Sequence, residues 1–233
     1  MDLGQYCIKT KMFLRLKNLT FLFLFVSIRS LGQDPCKFLA TLPDWSQVVG
    51  ILYTDSLGKD SIGTAFVISR RNQVMTCAHE VGDRKVLYFS RIKSGAIFPV
   101  SLKRIDSCAD LALLESKDSI TSFPPHELAE SFRVASGDSI CYICFNPRTH
   151  SCCLHYSKIY TEGKGMNVEG IDRCIQYYGE TIPGNSGGPV LNSRGEVIGI
   201  VKGRITTYSS FAGLQPDKGC AFPVVPFEEI LKK

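Results

Sequence analysis

From Val48 onward the chain alternates short apolar runs with clusters of glycine, aspartate, asparagine and serine. Val48–Tyr53, Gly63–Ser69, Gln73–His79, Lys85–Arg91, Ile97–Ile105 and Asp110–Glu115 are mostly short and rich in β-branched or aromatic residues. Such side chains suit a pleated surface, and turn-forming residues at the boundaries mark separate strands. A polar stretch from Ser116 to Ser136, containing Pro124 and Pro125, interrupts the series and reads as a linker. Strands resume at Asp138–Phe145, Cys152–Tyr160, Ile171–Tyr178, Pro189–Leu191, Glu196–Val201 and Cys220–Val225. Pro226–Leu231 predicts a helix, because proline suits a first turn and Glu228 and Glu229 sit where the helix dipole favours anions. The pattern predicts an all-β protein: two six-stranded antiparallel β-barrels with a short C-terminal helix. The boundaries expected are 33–115 for the first barrel, 116–136 for the linker and 137–233 for the second barrel with its helix.

The amino terminus has a different composition. Lys9, Lys11, Arg15, Lys17 and Arg29 against Asp2 place +4 of the formal +5 charge in the first 32 residues. The remaining +1 leaves a nearly neutral body, with no electrostatic case for nucleic acid as partner. The basic start precedes Leu19–Val26, an apolar run too short to span a bilayer comfortably, and then Ser30-Leu31-Gly32. Basic flank, short apolar core and small residues predict a signal peptide over 1–32, a secreted or periplasmic protein and no stable membrane anchor after cleavage. The competing reading is a buried helix or short anchor. Met12 is a second candidate start, since it would give the leader an ordinary length.

Ten cysteines suit an oxidising compartment, but Cys7 falls in the leader and leaves nine, an odd number. Cys141-x-x-Cys144 has the spacing of a metal or redox motif. On a strand, however, residues three apart point to opposite faces, as do the neighbours Cys152 and Cys153. No metal site and no cofactor are therefore expected. A hairpin turning through Asn146–Thr149 would set Cys144 against Cys152, either as a cross-strand disulfide or as free thiols filling the core. His126, His150 and His155 have no metal-ligand spacing with one another and read as ordinary polar positions.

The candidate chemistry centres on Gly184-Asn185-Ser186-Gly187-Gly188-Pro189-Val190. Glycines on both sides of Ser186 permit a tight turn and let a substrate carbonyl approach the main chain. A serine hydroxyl is a weak nucleophile at neutral pH and needs a base, which in turn needs an orienting group. His79 in Thr76-Cys77-Ala78-His79 and Asp110 in Asp110-Leu111-Ala112-Leu113-Leu114 supply both types upstream. Each alone is unremarkable: a histidine at a strand end, an aspartate before an apolar run, a serine in a glycine turn. In the order His, Asp, Ser they make a hydrolase hypothesis.

Those three motifs resemble the trypsin-like (chymotrypsin-fold) serine proteases. Gly63–Ser69, Ser136-Gly137-Asp138, Gly199-Ile200-Val201 and Ala221-Phe222-Pro223 bring the chain close to the HtrA/Deg-like and bacterial trypsin-like branch, over roughly residues 46–232. The resemblance implies a serine endopeptidase acting on polypeptides through an acyl-enzyme. In it Ser186 is the nucleophile, His79 the general base and acid, and Asp110 the group that holds the imidazole. The N–H groups of Gly184 and Ser186 form the oxyanion hole, and Val201, Lys202 and Gly203 pair with an extended substrate. Glu180, six residues before Ser186, is placed to reach the base of the primary pocket and favour Lys or Arg there. Lys202 and Arg204 stand close enough in sequence to neutralise it, and a solvated loop residue is the competing reading. Val201 occupies the region where Glu-specific members use a histidine, which argues against acid specificity.

The departures from the family are informative. Zymogen-type members carry aspartate before the nucleophile to pair with a new amino terminus, whereas Asn185 has no charge. No Ile-Val-Gly-Gly-like sequence follows a basic residue, so activation by amino-terminal insertion is not expected. Glu80 stands where the family usually has a cysteine directly after the catalytic histidine. No stretch after the terminal helix corresponds to the PDZ domains common in HtrA-type members. Two other functions fit the same residues: a restricted esterase-like acyl hydrolase, and a catalytically silent binding protein.

Overall fold

The computed structural model describes residues 49–68, 70, 72–91, 96–129, 135–162, 175–179, 181–204 and 218–223. Six strands of the first half close into a barrel in the order β1-β2-β3-β6-β5-β4. They are β1 (Gly50–Tyr53), β2 (Ser61–Val67), β3 (Gln73–Cys77), β4 (Val86–Ser90), β5 (Ile97–Asp106) and β6 (Leu111–Ser116). Six more close a second barrel in the order β10-β11-β12-β9-β8-β7. These are β7 (Ser139–Asn146), β8 (Ser151–Glu162), β9 (Ile175–Tyr178), β10 (Pro189–Leu191), β11 (Val197–Arg204) and β12 (Lys218–Pro223). Every pairing between them is antiparallel. The predicted all-β double barrel is the fold observed. The leader and the Pro226–Leu231 helix lie outside the described residues. Among those described, no helix is long and apolar enough to cross a membrane.

Burial explains which strands carry the site. In β5 exposed and covered positions alternate, as expected of a strand with one wet face. In contrast, β3 and most of β2, β6 and β7 are buried on both faces. Ala65, Val67, Val74, Ala112 and Leu114 fill the first barrel with Phe89 and Phe123. Their neighbours Phe66, Met75, Leu111 and Leu113, on the opposite face, are equally buried. Ile140, Tyr142, Cys144, Tyr177, Val190 and Ile198 fill the second barrel. Doubly buried strands read as continuous apolar runs, and here they mark where the two barrels meet.

The segment after β6 is packed, not a bare connector. Ile120 and Phe123 enter the first core. The His126 N–H donates to the Val67 carbonyl, while Ala129 N–H and Val197 N–H bond to Val197 and Glu127 carbonyls. This stretch therefore ties β2 to β11. His126 is buried with its ring edge-on to Phe66, 5.7 Å between centroids.

Two local expectations need correction. His79 does not end a strand: β3 stops at Cys77, and Ala78–Val81 form a single helical turn, α1, closed by Gly82 at φ +54. The second concerns the β7–β8 hairpin. Its ladder runs through Asn146↔Ser151, so the turn is 147–150 and not 146–149. His150 closes it in the left-handed region, φ +47. Cys144 consequently faces Cys153, and Cys152 faces Phe145. Among the described residues, no disulfide joins Cys77, Cys108, Cys141, Cys144, Cys152 and Cys153 to one another.

Candidate active site

His79 is fixed by its position two residues beyond the β3 end. The Ala78 N–H donates to the Asp110 carbonyl, and the His79 N–H donates to Asp110 Oδ1 at 2.9 Å. The same carboxylate takes His79 Nδ1 at 2.7 Å through Oδ2. Asp110 thus grips both main chain and ring, which fixes the side of the imidazole that faces outward. Reaching it requires Asp110 to take φ +51 just before β6, a left-handed conformation that aspartate tolerates better than most residues. Asp110 is buried, whereas the His79 side chain is 43% exposed.

Ser186 sits in a turn held by neutral contacts. The buried Asn185 side chain accepts from the Ile182 N–H at 2.6 Å and donates to the Phe145 carbonyl at 3.4 Å. Asn185 N–H bonds to Ile182 O and Gly188 N–H to Asn185 O, closing two successive turns. Gly184 at φ +98 and Gly187 at φ +88 supply conformations that side chains resist. Among the described residues, the N–H groups of Gly184 and Ser186 have no hydrogen-bond acceptor.

Thr64, a residue the sequence did not single out, joins the two barrels at this turn. Its N–H donates to the Ser186 carbonyl at 2.8 Å, and its hydroxyl donates to the Gly184 carbonyl at 2.7 Å. The same hydroxyl accepts from the Phe145 N–H at 2.9 Å. Its carbonyl accepts from Thr76 Oγ1. One fully buried residue of β2 therefore registers the serine turn against the barrel that carries His79.

The histidine and serine are brought to one seam but make no hydrogen bond to each other. Ser186 Oγ donates to the Lys202 carbonyl at 2.7 Å. His79 Nε2 instead meets Glu80 Oε1 at 3.3 Å. Asp110 and, after it, Glu80 push the imidazole up from 6.5 to about 9, against the opposing effect of burial. The two carboxylates therefore favour the imidazolium form of the ring. Cys77 Sγ, His79 and Asp110 lie close enough to suggest metal ligands. The donor chemistry does not suit that role: burial holds the Cys77 thiol protonated, and it donates to the Val201 carbonyl.

Of the residues expected to bind substrate, Glu180 lies outside the described residues. Val201 is occupied: its N–H donates to Gly188 O, and its carbonyl accepts from Gly187 N–H as well as Cys77 Sγ. Lys202 and Gly203 follow on β11, Gly203 paired with Cys220 of β12 and the Lys202 carbonyl already the acceptor for the serine hydroxyl. An aspartate-held imidazole beside a glycine-turn serine with two unused N–H groups has the parts needed for acyl transfer.

Residues 63–200 match the model of the trypsin-like peptidase domain. The mitochondrial serine protease HTRA2 of Drosophila pseudoobscura pseudoobscura is 29% identical over 157 residues, which cover 65% of this chain and 36% of that protein. The chain spans about a third of the length of the curated relatives it matches. Among solved structures, the HtrA-type protease AlgW with a decapeptide superposes with a TM-score of 0.65 at 20% identity, covering 80% of this chain and 64% of that one. The protease domain of MamO from Magnetospirillum magneticum gives 0.66 at 16% identity, covering 81% of this chain and 97% of that one. At these identities the structural likenesses speak for the fold.

Proposed function

The chain belongs to the trypsin-like peptidase family, and from that premise we propose that it is a serine endopeptidase. The observation that carries the reading is the Asp110 carboxylate, which grips the His79 main chain and Nδ1 together at the seam where the Ser186 turn is anchored. Ser186 Oγ attacks the substrate carbonyl carbon and passes its proton to His79 Nε2, forming a tetrahedral intermediate. Asp110 fixes the tautomer and stabilises the imidazolium that results. His79 then gives the proton to the amine as the C–N bond breaks, leaving the acyl-enzyme, and a water molecule repeats the sequence to release the acid. The free N–H groups of Gly184 and Ser186 hold the oxyanion, and removing one such donor costs about 10²–10³ in rate.

An extended peptide adds along β11 at Lys202 and Gly203. A substrate N–H that takes the Lys202 carbonyl releases the Ser186 hydroxyl from its present acceptor, so binding itself frees the nucleophile. A polypeptide substrate is supported by relatives named as serine proteases and by the AlgW structure with its decapeptide. Asn185 supports competence without amino-terminal insertion, because its neutral hydrogen bonds hold the turn that an ion pair holds in zymogen-type enzymes. The basic and apolar segment before Gln33 is read as a secretory leader, which places the enzyme in the periplasm or outside the cell.

The test is hydrolysis of a mixed peptide library and of a simple ester by protein beginning at Gln33, with and without one extra residue. Cleavage of peptides at equal rates by both forms, abolished by Ser186→Ala, is the expected result. Ester turnover without peptide cleavage would contradict the endopeptidase assignment. Strict dependence on a free amino terminus would contradict the role given to Asn185.

A further inference from the structure

Glu80 is a charged group at the site to which the acyl-transfer mechanism gives no task. Its Oε1 lies 3.3 Å from His79 Nε2, the nitrogen that must accept the Ser186 proton. Its side chain is only 12% exposed, so it is not a waving surface carboxylate. It occupies space left open by Gly63: a Cβ on that glycine would lie 2.8 Å from Glu80 Cδ and 3.0 Å from Oε2. The adjacent residue, Thr64, holds the Ser186 turn. Glu80 is therefore wedged between β2 and the histidine, at the side from which the serine must approach.

We infer that Glu80 is a resting-state latch, occupying the imidazole nitrogen that Ser186 needs until the carboxylate swings away. The inference rests on the catalytic reading of Ser186, His79 and Asp110. Two carboxylates then bracket one ring, Asp110 hydrogen-bonded to Nδ1 at 2.7 Å and Glu80 3.3 Å from Nε2, and each favours a proton on the nitrogen it faces. A ring so held is an imidazolium and has no lone pair for a proton. The serine is correspondingly parked on the Lys202 carbonyl. When the ring loses its proton, the bare Nε2 lone pair repels the Glu80 carboxylate and attracts the serine hydroxyl. Release of the latch and creation of the base are thus the same event. The other groups facing the ring do not substitute for Glu80. Cys77 at the β3 end is held neutral by burial, Asp110 is committed to Nδ1, and the charge of Lys202 on β11 acts on Cys77. The rise of His79 to about 9 is consistent with the geometry.

Two substitutions separate the latch from the triad. Glu80→Gln removes the charge with little change of shape. Gly63→Ala leaves Glu80 intact but places a methyl where its carboxylate rests, and the flexible end of the side chain can yield. The His79 ring proton is followed by NMR against pH in the full chain, and fluorophosphonate labelling rates are measured over the same range. The inference expects wild-type His79 to titrate near 9, with both variants shifted downward by about one unit and labelling about 10-fold faster near pH 7. Unchanged titration and labelling profiles in Glu80→Gln and Gly63→Ala would overturn the latch, while wild-type labelling on Ser186 would leave the catalytic reading standing. No labelling in any of the three at any pH would remove the catalytic reading and the latch with it.

Discussion

His79 is where the chemistry and the stability of this protein meet. Its conjugate acid is favoured first by Asp110 and second by Glu80, so its affinity for a proton is higher folded than unfolded. A raised pKa of this kind contributes stability fully below the unfolded value of 6.5. That contribution is lost as pH rises through about 9. We expect stability to urea to decline over that window and the decline to be flattened in Asp110→Asn, which removes the first-ranked cause. A wild-type profile with no slope there would contradict the arrangement. The same variant should lower peptide turnover by about 10⁴, because an amide cannot hold the ring in the productive tautomer. Initial rates at saturating substrate would measure it.

At the scale of elements, the site depends on β2 lying under the serine turn. Thr64 makes this contact through both its main chain and its hydroxyl. Thr64→Val keeps the shape but strands the buried Phe145 N–H and the Gly184 carbonyl, and should destabilise by about 1–3 kcal/mol in denaturant unfolding. Gly187→Ala should be worse. A Cβ there would sit 1.9 Å from the Thr64 carbonyl oxygen and 2.4 Å from Thr76 Oγ1, at a φ of +88 that side chains resist. Failure to accumulate as folded protein is expected, and a well-folded, active Gly187→Ala would show that the turn is not clamped as described.

These elements also show what the sequence could reveal. The strands were legible because β-branched and aromatic runs end at turn formers, and β2, β3 and β6 read as continuous apolar runs because they are buried on two faces. Helix α1 was not legible, since four residues are too few to show a helical period. Thr64 looked like any threonine in a strand; its role comes from a turn 120 residues later in the chain. Glu80 was visible only as a departure from a family position, because sequence gives no sign of which ring atom a neighbouring carboxylate will meet. The Cys144–Cys153 pairing escaped by a single residue of turn length.

For the whole molecule, neither barrel suffices. The first carries His79 and Asp110, the second carries Ser186 and the β11 edge, and Thr64 with the 120–129 segment ties them together. Charge is nearly balanced outside the amino-terminal segment, which gives no case for long-range attraction of a charged partner. The most direct test of the central claim is fluorophosphonate labelling of the protein at pH 9, beside Ser186→Ala and His79→Ala, with the adduct located by mass spectrometry. A single adduct on Ser186 in the wild type, absent from both variants, is the predicted result. Folded wild-type protein that takes no label would contradict it and leave a latent enzyme or a binding module on a peptidase fold.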